Sequence, residues 1–192
     1  MVEAPQFAVA GEPQSVASAD FDGDGRVDLA TVSTNLTVSV LRNTGTAGTP
    51  QFAPKVDFPL TSGGLRIAVG DVDGDGAVDI LTSNYFASTI SVLRNTSTGA
   101  GAVSFAAAVN FTVGSSPRST WLTDLNGDSK LDAVVANEGS NSISVLVNSG
   151  SGPGSISFSA AVNFGVGSQP RIMMAMENLI SRSIGRRMAS GG

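Results

Sequence analysis

Acidic side chains in this chain are gathered into three short clusters at a regular spacing. The clusters begin at Asp20, Asp71 and Asp124, which are 51 and 53 positions apart. A fixed period of this length is typical of repeat architectures, in which each repeat is one supersecondary unit stacked on its neighbours. The chain is therefore expected to be an array of similar units.

Apolar segments recur on both sides of every acidic cluster. Upstream lies a Phe-x-Val-x-x-x-Pro pattern, degenerate in its second copy, which begins at Phe7, Phe58, Phe111 and Phe164. Downstream lies a Thr-Val-Ser-Val-Leu-Arg-Asn segment that recurs, with small changes, at 37–43, 89–95 and 142–148. Because the matches run over the full period, a true repeat is favoured over a β-sandwich with accidental similarity.

These segments have the pattern of β-strands, since polar and β-branched apolar residues alternate with period 2. In the first period the predicted strands run from Ser15 to Phe21, Asp28 to Ser33, Leu36 to Arg42 and Phe52 to Leu60. Four strands in roughly 40 to 50 residues is the size of one propeller blade. We therefore predict an all-β fold, a partial β-propeller of four-stranded antiparallel blades. Its repeats would cover about 7–57, 58–110 and 111–163, with the start of a fourth at 164–170.

The acidic loops have the chemistry of a cation site. Carboxylates at positions 1, 3 and 5 repel each other unless a cation lies between them. Gly25 at position 6 allows the sharp turn that folds the first loop round an ion. The predicted ligands of this loop are Asp20, Asp22, Asp24, the carbonyl of Arg26, and Asp28. Their counterparts are Asp71, Asp73, Asp75, Ala77 and Asp79 in the second loop, and Asp124, Asn126, Asp128, Lys130 and Asp132 in the third.

Calcium suits a flexible, carboxylate-rich cage better than magnesium does, so up to three Ca²⁺ ions are predicted. An EF-hand is rejected because position 12 is Thr31, Thr82 or Val135 instead of a bidentate Glu, and because the flanks are strand-like. A solvated Asp-Gly turn without an ion is the remaining alternative. The third loop should bind more weakly, because Asn126 is neutral and Ser129 replaces the glycine.

The loops resemble those of the FG-GAP/VCBS repeat family, the blades of integrin-α-like β-propellers. The family pattern D-x-[DN]-G-D-G-x-x-D is matched by 20–28 and 71–79, and by 124–132 except at Ser129. The resemblance implies a propeller, usually seven-bladed, with calcium in the hairpin between the first two strands of a blade. It also implies an extracellular or cell-surface protein that serves adhesion or recognition, or acts as an accessory module. With about three and a half repeats, the chain is expected to be a fragment of such a protein.

The predicted function is a non-enzymatic recognition module with structural calcium and a protein or glycan ligand. The chain has no Cys and no His, which excludes thiol and histidine catalysis. Its acids outside the loops are scattered, so no glycosidase pair is expected. The alternative is a carbohydrate-binding or accessory propeller domain of a carbohydrate-active enzyme, although Trp121 is expected to fill the core or the channel. A net charge of −5 argues against nucleic acid, and no apolar run is long enough for a membrane span.

After Pro170 the repeat fails. Met is encoded only by ATG, and a shifted frame through Met173 to Asn178 spells Asp-Gly-x-Gly-(Lys or Glu), the start of a fourth acidic loop. We therefore interpret 171–192 as an aberrant, frameshifted tail; a natural basic terminus with Arg182, Arg186 and Arg187 is the alternative.

No secretion signal opens the chain. Open blade faces at both ends predict self-association.

Overall fold

The chain folds into three four-stranded antiparallel sheets, as the sequence predicts. The computed structural model describes residues 7–166. The first sheet contains β1 (Pro13–Ala19), β2 (Asp28–Ser33), β3 (Thr37–Leu41) and β4 (Val56–Pro59). The second contains β5 (Arg66–Gly70), β6 (Asp79–Asn84), β7 (Thr89–Leu93) and β8 (Val109–Thr112). The third contains β9 (Pro117–Thr123), β10 (Asp132–Asn137), β11 (Ser142–Leu146) and β12 (Val162–Gly165).

Within each sheet the strands pair in sequence order, so every connection is a hairpin. The predicted fourth strand of the first sheet was too long. Phe52 forms an isolated bridge with Asn43, and the strand itself begins at Val56. The predicted repeats begin at Phe58 and Phe111, which lie in β4 and β8, the last strands of the first and second sheets. Each predicted repeat therefore begins about one strand before the sheet that contains most of it.

The sheets stack face to face, which explains the burial of their middle strands. All six residues of β6 are buried, whereas β12 is exposed along its whole length. A strand between two neighbouring sheets loses water from both faces, while a fourth strand lies at the periphery. The first strands β1, β5 and β9 contact one another in succession. This arrangement is that of consecutive blades in a partial propeller.

The hydrophobic core is divided among the spaces between sheets. Val32 and Val38 of the first sheet pack in one cluster with Ile80 and Leu93 of the second. A second cluster lies between the second and third sheets and includes Leu81, Ile90, Val135 and Leu146. Each fully buried aliphatic side chain of this size contributes about 1.5–3 kcal/mol. The sheets are therefore held together by the burial of apolar side chains at each interface. The acidic loops lie at the ends of these packed sheets.

The predicted aberrant tail, 171–192, and the last part of the predicted fourth-repeat start, 167–170, lie outside the described residues. Within residues 7–166 no helix has the length and apolarity that crossing a membrane requires.

Candidate metal-binding loops

Each acidic loop joins the first strand of a sheet to the second, and the Asp at position 1 organises it. The carboxylate of Asp20 accepts backbone hydrogen bonds from residues 23–25, at 2.8, 3.1 and 2.8 Å. The φ angles of Gly23 and Gly25 are 72° and 84°, in the left-handed region that glycine adopts at little cost. The same three hydrogen bonds recur around Asp71, and those from residues 127 and 129 recur around Asp124. The short glycine-rich sequence thus folds back on its first carboxylate.

Two of the loops bring three carboxylates together. In the first loop, Asp20, Asp22 and Asp24 each offer an oxygen, and these oxygens all lie within 4.8 Å of one another. In the second loop the corresponding group is Asp71, Asp73 and Asp79. They are the two such groups of acidic side chains within residues 7–166. Oxygen ligands alone, on a short and strongly turned loop, are the donor set that hard divalent cations prefer.

The carboxylate at position 5 of each loop also accepts a hydrogen bond from the backbone N–H of position 7. The backbone N–H groups of Arg26, Ala77 and Lys130 donate to Asp24, Asp75 and Asp128, at 2.8, 2.8 and 2.9 Å. The Arg26 guanidinium also pairs with the Asp24 carboxylate. Ligation of a cation by the carbonyls of these position 7 residues stays a prediction.

The Asp at position 9 is fully buried and ties the loop to the sheet. Asp28 accepts from the backbone N–H of Phe21 at 3.0 Å and from that of Asn43 at 2.7 Å. Burial raises the pKa of Asp28, more than these two hydrogen bonds lower it, and the nearby Asp22 and Asp24 charges raise it further. Asp28 lies outside the first group of clustered carboxylates, so its principal contacts here are with the backbone.

Asp79 has the same backbone contacts and also belongs to the second cluster. It accepts from the backbone N–H groups of Val72 and Asn95, at 2.8 and 2.7 Å. Burial raises its pKa to about 6, against the lowering effect of these hydrogen bonds, and the charges of Asp73 and Asp75 add to the rise. A buried carboxylate that resists ionisation beside other carboxylates is stabilised as an anion by a bound cation.

The position 3 carboxylates face an arginine that sequence reasoning missed. The Asp22 Oδ2 lies 3.8 Å from the Arg42 Nε, and Asp73 Oδ2 lies 4.0 Å from the Arg94 Nε. In the third repeat the same two positions hold Asn126 and Val147. The acid and the base are therefore replaced together, and the signal was present in the sequence because the arginine ends each of the first two Val-Leu-Arg-Asn segments.

The third loop keeps the fold of the others with fewer charges. Asn126 Nδ2 donates to Asp128 Oδ2 at 3.1 Å, and Lys130 Nζ donates to the carbonyl of Gly150 at 2.6 Å. The backbone N–H of Lys130, followed by Asn126, lowers the pKa of Asp128. The Asp132 carboxylate accepts from the backbone N–H groups of Leu125 and Asn148, as Asp79 does from its own pair. Weaker metal binding by the third loop stays a prediction.

Asparagines at the end of the third strands connect successive loops, a role that sequence reasoning also missed. Asn95 Nδ2 donates to the carbonyl of Val78 in its own loop at 3.0 Å and to that of Phe21 in the preceding loop at 2.9 Å. Asn148 repeats this at 3.1 Å to Leu131 and 2.8 Å to Val72. The three loops are therefore joined by buried hydrogen bonds. The recurring Asn at the end of each downstream segment was the available signal.

Comparison with known families agrees with this geometry. The profile of the FG-GAP-like repeat matches residues 20–82, and that of the FG-GAP repeat matches residues 63–105. The matched residues contain the first two acidic loops. No curated protein matches the chain.

Proposed function

The chain contains FG-GAP and FG-GAP-like repeats over residues 20–105, and on that premise we propose that it is a non-enzymatic recognition module whose acidic loops bind calcium for structural purposes. The observation that carries the proposal is the approach of three carboxylates to within 4.8 Å in each of the first two loops. Carboxylates so close repel one another, and a divalent cation removes the repulsion while it crosslinks the loop.

The donor set fits calcium. Asp20, Asp22 and Asp24 would hold the ion in the first loop, and Asp71, Asp73 and Asp79 in the second. All of these donors are oxygens, on loops whose glycines carry positive φ angles, and calcium tolerates irregular oxygen cages better than magnesium does. When bound, the ion supplies charge neutralisation. The protein's own residues fix the loop against the sheet through the position 9 carboxylates.

The remaining described carboxylates support a non-enzymatic function, because each is engaged with a neighbour on the surface. Glu138 pairs with Arg118 at 2.7 Å, Asp57 pairs with Lys55, and Glu12 accepts from the Thr34 hydroxyl. Hydrolysis of a glycoside needs two carboxyl groups that face each other across the scissile bond. Acids held singly in surface contacts do not supply that arrangement.

An extracellular or cell-surface location is part of the same proposal. Calcium sites of extracellular modules work at dissociation constants of about 10⁻⁴–10⁻³ M, a range that short exposed loops of this kind can reach. The ligand would be another protein or a glycan. Calorimetric titration of the full chain with calcium and, separately, with magnesium tests the metal: two calcium sites are expected in the first two loops, and an affinity no higher for calcium than for magnesium would contradict the proposal.

A carbohydrate-binding role is the second candidate, and one observation favours it. Trp121, expected to fill the core or the channel, is 40% exposed on β9, and Phe86 beside Tyr85 is 79% exposed. Exposed aromatic faces are suitable platforms for sugar rings. A glycan array separates the two candidates: glycan binding that is lost in Trp121→Ala, with calcium binding retained, supports the second, and a blank array supports a protein ligand.

A further inference from the structure

The first two acidic loops form a matched pair within the chain, because their sequences differ at two of the nine positions. Position 2 is Phe21 in the first loop and Val72 in the second, and both side chains are buried in the apolar clusters between sheets. Position 7 is Arg26 in the first loop and Ala77 in the second. The two loops therefore differ by a single charge, which position 7 carries.

The Arg26 side chain is held in place against the first loop. Its Nε donates to the carbonyl of Asn43 at 2.9 Å, and its guanidinium pairs with Oδ2 of Asp24. The backbone N–H of Arg26 donates to Oδ1 of the same carboxylate at 2.8 Å. Both oxygens of Asp24 therefore already accept from position 7.

The guanidinium also accompanies a difference in burial at position 5. The Asp24 side chain is 4% exposed beside Arg26, whereas Asp75 and Asp128 are exposed in their own loops. In the second loop position 7 is an alanine, and in the third the position 7 lysine donates to a backbone carbonyl outside the loop. The position 5 carboxylate is thus covered in the one loop where an arginine pairs with it.

A second arginine lies beside each of the two loops and does not distinguish them. The Arg42 Nε is 3.8 Å from Asp22 Oδ2, and the Arg94 Nε is 4.0 Å from Asp73 Oδ2. These contacts occupy the same place in successive repeats, so they oppose a bound cation to a similar extent. The effect of position 7 can therefore be measured against a common background.

On the premise of the calcium binding proposed above, we propose that Arg26 is a tethered counterion that calcium must displace from Asp24. The guanidinium and the ion are both positive, so their approach to one carboxylate is opposed by repulsion between them. In the second loop Ala77 leaves the carboxylates to the ion alone. The second loop therefore fills at a lower calcium concentration than the first, although each loop brings three carboxylates within 4.8 Å.

NMR titration of the full chain with calcium measures the two loops separately. The Gly25 and Gly76 amides donate to the position 1 carboxylates of their own loops, so their signals report on the first and second sites. In the wild type the Gly76 signal should reach its midpoint at a calcium concentration roughly tenfold lower than the Gly25 signal. The Arg26 Nε–H signal should shift together with that of Gly25, because the guanidinium leaves Asp24 as the ion binds.

Substitutions at position 7 supply the matched variants. Arg26→Gln should raise the calcium affinity of the first loop roughly tenfold and leave the second unchanged, and Ala77→Arg should lower that of the second by a similar factor. Arg118→Gln is the control, because it removes the same charge from a surface pair with Glu138 at the start of β9, whereas the acidic loop follows the other end of that strand. Both midpoints should then stay at their wild-type values.

The outcomes separate the role of Arg26 from the calcium binding on which it rests. If neither glycine signal responds to calcium in the wild type or in Arg26→Gln, calcium binding is refuted and the role of Arg26 with it. If calcium binds but Arg26→Gln leaves the Gly25 midpoint unchanged, calcium binding stands and the counterion is overturned. An equal shift in Arg118→Gln would also overturn it, because the net charge of the chain would then account for the effect.

Discussion

The Asp22 Oδ2 atom accepts a 2.7 Å hydrogen bond from the backbone N–H of Gly101, which lies 79 positions later in the connection between β7 and β8. Asp73 accepts the same bond, also at 2.7 Å, from Gly154 of the third sheet. The position 3 carboxylate therefore belongs both to a candidate metal loop and to the interface with the following sheet. A substitution in the loop should therefore change the stability of the interface, and a substitution at the interface should change metal binding by the loop.

Replacement of Asp22 separates these two roles. Asp22→Ala removes the charge-assisted hydrogen bond that the buried Asp22 carboxylate accepts from the Gly101 N–H, and we expect a loss of about 1–3 kcal/mol in the free energy of unfolding even in chelator. Asp22→Asn retains an oxygen for Gly101 but removes the charge, so it should keep most of the stability in chelator and still lose calcium affinity. Urea unfolding with chelator measures the loss of stability, and calorimetry measures the loss of calcium affinity. Equal stability of Asp22→Ala and wild type would contradict the interface role.

Calcium should stabilise the fold, because the clustered carboxylates exist in the native loops and not in the unfolded chain. At 100 times its dissociation constant, one ion stabilises the native state by about 2.7 kcal/mol. For a chain of this size the melting temperature should then rise by roughly 5–10 °C per site. Thermal unfolding in low-salt buffer, with calcium or with chelator, gives the comparison. Coincident melting curves would mean that the loops are ion-free turns.

The strands of each sheet and the acidic loops could be predicted from the sequence because each depends on residues that are close together in the chain. The alternation of polar and apolar residues in 37–41 indicates a strand, and the glycines within 20–28 indicate a tight turn. The inter-sheet contacts could not be predicted in this way, since Asn95 reaches Phe21 across 74 positions and the approach depends on how two sheets stack. The recruitment of Asp79, but not Asp28, into a carboxylate cluster likewise depends on side-chain orientation that loop spacing does not determine.

The third loop should be the weakest calcium site. It has Asn126 at position 3, and the Lys130 side chain carries a positive charge beside the loop. Asp128→Ala should therefore reduce the total calcium affinity less than Asp22→Ala or Asp73→Ala does. Calorimetric titration of the three variants gives the ranking. A third site as tight as the other two would show that ligand charge does not determine affinity here.

Calcium binding to the second loop should depend on pH. The pKa of Asp79 is raised from 3.8 to about 6, so without metal the folded state holds a proton that the unfolded chain has released. Its contribution to stability is present below about pH 3.8 and is lost as the pH rises to about 6. Calcium needs the ionised carboxylate, so affinity at this site should increase over the same range. Carbon-13 NMR titration of the Asp79 carboxyl in chelator should have a midpoint near 6, and a midpoint near 4 would refute both statements.

Ser129 should be the strained residue of the third loop. Its φ is 69°, and the glycines at the same position, Gly25 and Gly76, have φ angles of 84° and 90°. The Ser129 N–H still donates to Asp124 at 3.0 Å, as the Gly25 and Gly76 N–H groups do to their own position 1 carboxylates, so the loop keeps its shape at the cost of a left-handed serine. That conformation costs a side-chain-bearing residue about 1–2 kcal/mol, partly offset by the greater freedom of glycine in the unfolded chain.

Ser129→Gly should therefore stabilise the protein by about 0.5–1 kcal/mol. Gly76→Ser, where the added Cβ would meet no atom within 4 Å, should destabilise it by a similar amount through the backbone alone. Urea unfolding of both variants in chelator tests the pair, and a Ser129→Gly variant less stable than the wild type would show that the serine has a contact outweighing its strain.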